Sequence, residues 1–229
     1  MNTYPLDKFK EKAIIVESTA MCKTDKYYLT SKYQPYIDSI ILSRGNLKDR
    51  IERIAFDMIQ KYHGKQITFL VILKGAIFFA DSLNEKLCEL LKVNYNTEQM
   101  DFQFEYVSIS SYEGTKSTGN VKVKSDISVF EKLKGKDVVI IEDVYDSGKS
   151  CEELVKYIKG FEPKSLELAF LFWKMNMANL KYDVMPEFIG FVIPDVFVIG
   201  VGLDYNERFR ELNHLCVINQ HGIDTFKNK

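Results

Sequence analysis

The stretch Val138-Val139-Ile140-Ile141-Glu142-Asp143-Val144-Tyr145-Asp146-Ser147-Gly148-Lys149-Ser150 passes from an aliphatic run to two acids and then to a small-residue loop. An unbroken aliphatic run from Val138 to Ile141 is what a strand covered on both faces needs. From Lys149 to Lys159 the residues Leu154, Val155 and Ile158 lie on one helical stripe, and Gly160 closes it. The segment therefore predicts a central strand, a short loop and a helix.

Each part of that loop has a chemical use. The first N–H groups of a helix lack intrahelical partners and sit at the positive end of its dipole, so Ser147, Gly148, Lys149 and Ser150 can wrap a phosphate. Gly148 lets the main chain approach closely, and the Ser hydroxyls add donors. A Walker loop would need glycine where Asp143 stands, and Gly200-Val201-Gly202 lacks the third glycine of a dinucleotide fingerprint, having Tyr205 there within a strand-like run. Glu142 and Asp143 end the strand where α/β proteins bind ligands. Neighbours in a strand point to opposite faces, so these acids suit sugar hydroxyls or a divalent cation better than a glycosidase-type pair. The plainer alternative is that they cap the following helix. Asp146 stands beside the reacting end of any ligand held there, placed to accept a proton or offset positive charge; by itself it would serve as an N-cap.

Outward from this segment, apolar residues at 51, 54, 55, 58, 59 and 62 predict a helix that Gly64 stops, and Ile67 to Leu73 predicts a strand. After Lys74-Gly75, a second helix carries Phe79, Leu83, Leu87 and Leu90. Phe102, Phe104 and Tyr106 alternate in a half-buried strand. Ser110 to Asp126 shows no apolar periodicity and is expected to be a long loop, either a functional lid or disordered. Leu166 to Trp173, Phe188 to Ile193 and Val196 to Val201 add strands, the last two parted by a turn at Pro194. Alternating strands and helices predict an α/β fold with a mainly parallel sheet. Residues 40–186 are expected to form its core, with 1–39 and 187–229 forming a small lobe.

The 229 residues carry 31 Lys and Arg against 32 Asp and Glu, so no global basic field draws in nucleic acid or anionic lipid. No apolar run reaches the ~20 residues of a membrane helix, and the N-terminus lacks a signal-peptide stretch. A cytoplasmic protein without membrane or nucleic-acid partners is expected. Cys22, Cys88, Cys151 and Cys216 are too dispersed for a zinc site and are expected to be reduced, buried thiols.

The run from Glu142 to Ser150 resembles the phosphoribosyl-diphosphate signature of the type I phosphoribosyltransferases. Leu73-Lys74-Gly75, Ser111-Tyr112 with Ser117-Thr118-Gly119, Lys174, Pro194-Asp195-Val-Phe197-Val198, and Leu203-Asp204-Tyr205-Asn206 with Phe209-Arg210 extend the likeness to the branch that acts on hypoxanthine and guanine. The resemblance implies the fold of that family, with a hood lobe over the base, and transfer of ribose 5-phosphate from phosphoribosyl diphosphate to N9 of a 6-oxopurine. It also implies Mg²⁺ and a homodimer or homotetramer.

By the same resemblance, Glu142 and Asp143 hold the ribose hydroxyls, and Asp146 to Ser150 hold the 5-phosphate. Asp146 meets purine N7 and is the catalytic residue, Lys174 donates to O6, Phe197 stacks on the ring, and Val198 and Asp204 complete the base and metal side. Lys74, Gly75 and Arg210 take diphosphate, with a cis peptide at Leu73-Lys74. Ser111 and Tyr112 belong to a loop that closes over the site. Asp204, Glu142 and Asp143 are the metal candidates. Ser110, Met175, Tyr145, Ala76 and Ser150 depart from the usual pattern. Rival expectations are a xanthine- or pyrimidine-specific transferase, an RNA-binding regulator with this fold, and an inactive paralogue.

Overall fold

A computed structural model describes residues 5–93, 100–113, 116–177 and 185–227, with main chain alone at 93, 109–113 and 116–123. In chain order its elements are β1 (Ile14–Ile15), β2 (Ile37–Leu42), α1 (Arg44–Lys61), β3 (Gln66–Leu73), α2 (Ile77–Val93), β4 (Asp101–Glu113) and β5 (Lys116–Val123). Then follow α3 (Ile127–Glu131), β6 (Asp137–Tyr145), α4 (Lys149–Lys159), β7 (Ser165–Lys174), β8 (Phe188–Ile193), β9 (Val198–Ile199), β10 (Leu215–Ile218) and α5 (Gln220–Phe226).

A seven-stranded sheet runs β1-β8-β7-β6-β3-β4-β5, parallel throughout except where β5 returns antiparallel on β4. Alternate residues of its strands feed two cores. Phe69, Val71, Val139 and Ile141 join Ile54, Met58, Phe79 and Leu83 of α1 and α2, while Leu70, Ile140 and Phe170 join Phe130, Leu154 and Ile158 on the other face. Covering both faces explains why the central strands read as continuous apolar runs. A capping box at Ser43 and Asn46 starts α1, and Gly64, at φ +69°, lies just beyond its end.

A second sheet, β2-β10-β9, encloses a third core with Tyr33, Ile40, Phe209, Cys216 and Phe226. Sheet membership corrects two expected boundaries. β1 and β8, which fell within the expected small lobe, pair with each other and through β7 with the large sheet. The expected strand from 196 to 201 shortens to β9, because Val196 closes a tight turn onto the Pro194 carbonyl and Gly200 and Gly202 take left-handed φ values of +92° and +97°.

The expected long loop is also corrected. Its main chain is a hairpin in which Tyr112 pairs with Ser117 and Ile109 with Val123. Main-chain pairing supports this strand where no apolar pattern announces it. The side chains of Ser110, Ser111 and Tyr112 lie outside the described residues. All four cysteines are free, but Cys22 is exposed and only Cys216 is fully buried, so the expectation of buried thiols fails at position 22. Tyr145, unusual for its position, is buried flat against Trp173 with ring centroids 3.9 Å apart, and Phe9 packs on the same indole. No described helix is long and apolar enough to cross a membrane.

Candidate active site

The carboxyl ends of β3, β6 and β7 and the turn after β9 meet at one edge of the large sheet. At the end of β6, Gly148 occupies the N-cap of α4 with φ +84°, so no side chain covers the first-turn N–H groups. Around this turn Glu142, Asp143, Asp146, Ser147, Ser150, Cys151 and Phe170 line a cavity of about 260 Å³. The N-cap role open to Asp146 falls to Gly148 instead. Burial, with the nearby charge of Glu142 after it, pushes the Cys151 thiol well up, so it stays protonated and supplies no nucleophile.

Glu142 and Asp143 were expected to point apart; the Asp143 main-chain N–H donates to Glu142 Oε2 at 3.2 Å, which keeps the two acids close. Burial pushes Glu142 well above the usual carboxylate range, and the Asp143 charge adds to the shift. The Asp143 carboxyl is raised by burial as well, opposed by hydrogen bonds from Glu142 and the Val144 main chain. Two acids in one half-buried crevice retain a proton between them until a cation or hydroxyl donors take its place.

Next to Asp143, the Leu73-Lys74 peptide is cis, as the family resemblance implied. A Cβ on the following residue, Gly75, would lie 1.5 Å from Asp143 Oδ2, so any larger residue there would displace that carboxylate. Gly202 is equally confined, since its Cβ would lie 2.1 Å from the Gly75 carbonyl. The main chains at Gly75 and Gly202 thus touch with no room for a side chain between them, the Asp143 carboxylate packs against Gly75, and together these contacts hold the diphosphate candidates near one another. Arg210 donates to the Gly202 carbonyl at 2.8 Å and pairs with Asp204 at 2.8 Å, whereas the exposed Lys74 ammonium meets Glu207 at 2.9 Å. Glu207 also approaches Arg210 at 3.3 Å, and its N–H is accepted by Asp204. The Arg210 Nε is buried without an acceptor among the described residues.

At the other end of the crevice, Lys174 emerges from the end of β7 with its side chain 10% exposed and donates to Asp146 Oδ2 at 3.0 Å. The second oxygen of Asp146 accepts from Asn176 Nδ2 at 3.0 Å. Phe197 is 49% exposed, so the core role natural for a phenylalanine in an apolar run does not apply; it meets Tyr205 edge-on with centroids 5.5 Å apart. Val198 is buried in β9.

The structure thus gathers Glu142, Asp143, Asp146, Ser147, Gly148, Lys149 and Ser150 with Lys74, Gly75, Lys174, Asp204 and Arg210 on one edge. Among the described residues no three His, Cys, Asp or Glu side chains form a metal cage, so Asp204, Glu142 and Asp143 do not constitute one. Sequence reasoning missed Asn176, Glu207, Gly202 and Tyr205. Asn176 had a signal in its place two residues after Lys174 at the same strand end, and Tyr205 in the Leu203-Asp204-Tyr205-Asn206 motif.

An uncovered helix N-terminus at Gly148, acids beneath it and a lysine at the far end form one crevice, a setting that suits an anionic, hydroxyl-bearing ligand. The phosphoribosyl transferase domain model matches residues 39–206, and the chain belongs to that family. It is 36% identical over 207 residues to the hypoxanthine-guanine phosphoribosyltransferase of Rattus norvegicus, covering 89% of this chain and 91% of the relative. The hypoxanthine-guanine-xanthine phosphoribosyltransferase of Plasmodium falciparum is also 36% identical, over 89% of this chain and 87% of its own length. Among solved structures, hypoxanthine-guanine phosphoribosyltransferase from Schistosoma mansoni in complex with IMP superposes with a TM-score of 0.76 at 26% identity, covering 93% of this chain and 98% of that one.

Proposed function

We propose that the protein is a purine-salvage enzyme that transfers the 5-phosphoribosyl group from phosphoribosyl diphosphate to N9 of hypoxanthine or guanine, giving IMP or GMP and diphosphate. One observation carries this reading: the Asp146–Lys174 pair lies beside the phosphate turn, so a single ligand can meet both. The α4 N-terminus takes the 5-phosphate, and Glu142 with Asp143 takes the ribose hydroxyls. Lys74 and Arg210 take diphosphate by leaving Glu207 and Asp204.

The transition state of such a transfer carries positive charge on the ribose as diphosphate departs, so fixed charges matter more than covalent chemistry. Asp146, still ionised, accepts a hydrogen bond from N7–H and offsets that charge, and takes the proton only as the bond from N9 to the ribose is completed. Lys174 donates to O6; an adenine amino group would set donor against donor, and an unpaired buried donor discriminates strongly. Phe197 supplies an exposed ring face for stacking, and the hairpin of Ser111 and Tyr112 covers the reacting centre against water.

The donor set fits Mg²⁺, since carboxylates are hard oxygen ligands and such an ion keeps substrate oxygens and water among its ligands. Asp204, Glu142 and Asp143 would hold it, and bound Mg²⁺ supplies neutralisation of the departing diphosphate. A homodimer or homotetramer in the cytoplasm completes the reading.

Incubation with phosphoribosyl diphosphate, Mg²⁺ and each of hypoxanthine, guanine, xanthine, adenine and uracil tests it by chromatography. IMP and GMP are expected as products. A xanthine product would extend the reading, as the name of the Plasmodium relative suggests. Product from uracil alone, or none from any base, would overturn it.

A further inference from the structure

We propose that Asn176 is a positioning residue for the transfer, fixing the Asp146 carboxylate through its second oxygen while Lys174 turns to the base. The inference rests on the proposed function and adds a residue that the reading does not use. Asp146 sits on a loop with its side chain half exposed, so the loop alone does not orient the carboxylate. Asn176 is better anchored. Met175 N–H is accepted by the Ile193 carbonyl at 2.8 Å, continuing the β7–β8 ladder, and Asn176 N–H turns back to the Lys174 carbonyl at 2.8 Å. This tight turn brings the Asn176 amide beside Asp146 at 3.0 Å. A carboxylate only accepts, so the amide nitrogen faces it and donates.

The two donors differ in what substrate asks of them. Lys174, under the proposed function, must serve purine O6, which draws its ammonium away from Asp146 Oδ2. Asn176 has no such call and keeps Oδ1. The carboxylate then presents Oδ2 to the N7 proton, and because the remaining donor is neutral, its negative charge stays available to the ribose cation. Position and charge are thereby separated between an amide and an ammonium.

Asn176→Leu removes the donor at similar size, and Asn176→Asp replaces it with a repelling acceptor. Each is assayed for kcat and KM with hypoxanthine and phosphoribosyl diphosphate, alone and with Asp146→Asn. A hydrogen bond to a charged group predicts kcat about tenfold lower for Asn176→Leu and about a hundredfold lower for Asn176→Asp, with KM for phosphoribosyl diphosphate within about twofold. On Asp146→Asn, neither should lower the residual turnover further by more than about twofold. An unchanged kcat in Asn176→Leu, equal losses in both backgrounds, or Asn176→Asp no worse than Asn176→Leu would overturn the assignment. A wild-type protein that forms no nucleotide would sink the proposed function and this inference together, whereas an active wild type with an indifferent Asn176→Leu sinks this inference alone.

Discussion

The two ends of the crevice are built from different materials. The phosphate end is main chain: a glycine N-cap, a cis peptide, and two glycines that leave no room for a Cβ. The base end is side chain, with Lys174 and Asn176 holding Asp146 and Phe197 turned outward. Under the proposed function the main-chain N–H groups of the phosphate end need no rearrangement to meet an anion, whereas Lys74 and Arg210 must first leave Glu207 and Asp204. The base end is paired with itself, and under the proposed function it would exchange the Lys174–Asp146 pair for the purine, so discrimination and proton transfer would sit where side chains can be re-paired.

Breaking the base end should cost most. Asp146→Asn is expected to lower turnover by roughly 10²–10⁴-fold, the range for a positioned proton-transfer group, while binding of phosphoribosyl diphosphate stays within a few-fold by calorimetry. Unchanged turnover would contradict the role. Breaking the phosphate end should act on binding instead. In Gly75→Ala the new Cβ would meet the Asp143 carboxylate, so phosphoribosyl diphosphate affinity should fall by about tenfold to a hundredfold. Unfolding stability should fall by about 1–3 kcal/mol, as for overpacking elsewhere. Denaturant titration and calorimetry measure both.

Legibility in the sequence divides along the same line. The buried strands β3, β6, β7 and β8 announce themselves by aliphatic runs, and the phosphate turn by Ser147-Gly148-Lys149-Ser150, because burial and main-chain geometry restrict residue type. β5 was not legible: Lys116-Ser117-Thr118-Gly119-Asn120 is an edge strand held by main-chain bonds that leave no apolar trace. The turn from Gly200 to Gly202 reads as strand because Val198, Ile199 and Val201 are buried around it. The placement of β1 and β8 in one sheet is a long-range pairing that periodicity does not encode. Nor does local pattern bring Glu207 to Lys74, a contact spanning 133 positions.

Smaller effects sharpen the comparison. Lys174→Ala should reduce the preference for hypoxanthine over adenine by about ten- to a hundredfold in kcat/KM, the worth of one hydrogen bond involving a charged group. A variant still as selective would place recognition elsewhere. Besides weakening the hold on the ribose hydroxyls, Glu142→Gln should change the stability of the ligand-free protein. The folded Glu142 carboxyl lies above its ordinary range through burial and then Asp143. Its contribution is therefore full in acid and is lost as pH rises past the ordinary carboxylate range. Glu142→Gln should raise ligand-free stability by about 1–2 kcal/mol near pH 8 and by little near pH 4, measured by urea unfolding. A gain of the same size at both pH values would show that the proton is not responsible.

The most direct measurement is a crystal structure of the protein with IMP. The phosphate should lie against the main-chain N–H groups from Ser147 to Ser150, with the purine O6 at the Lys174 ammonium and N7 at Asp146. Phosphate bound instead among Lys65, Lys136 and Lys164, which line a separate cavity of about 320 Å³ by the opposite ends of β3 and β6, would contradict the account.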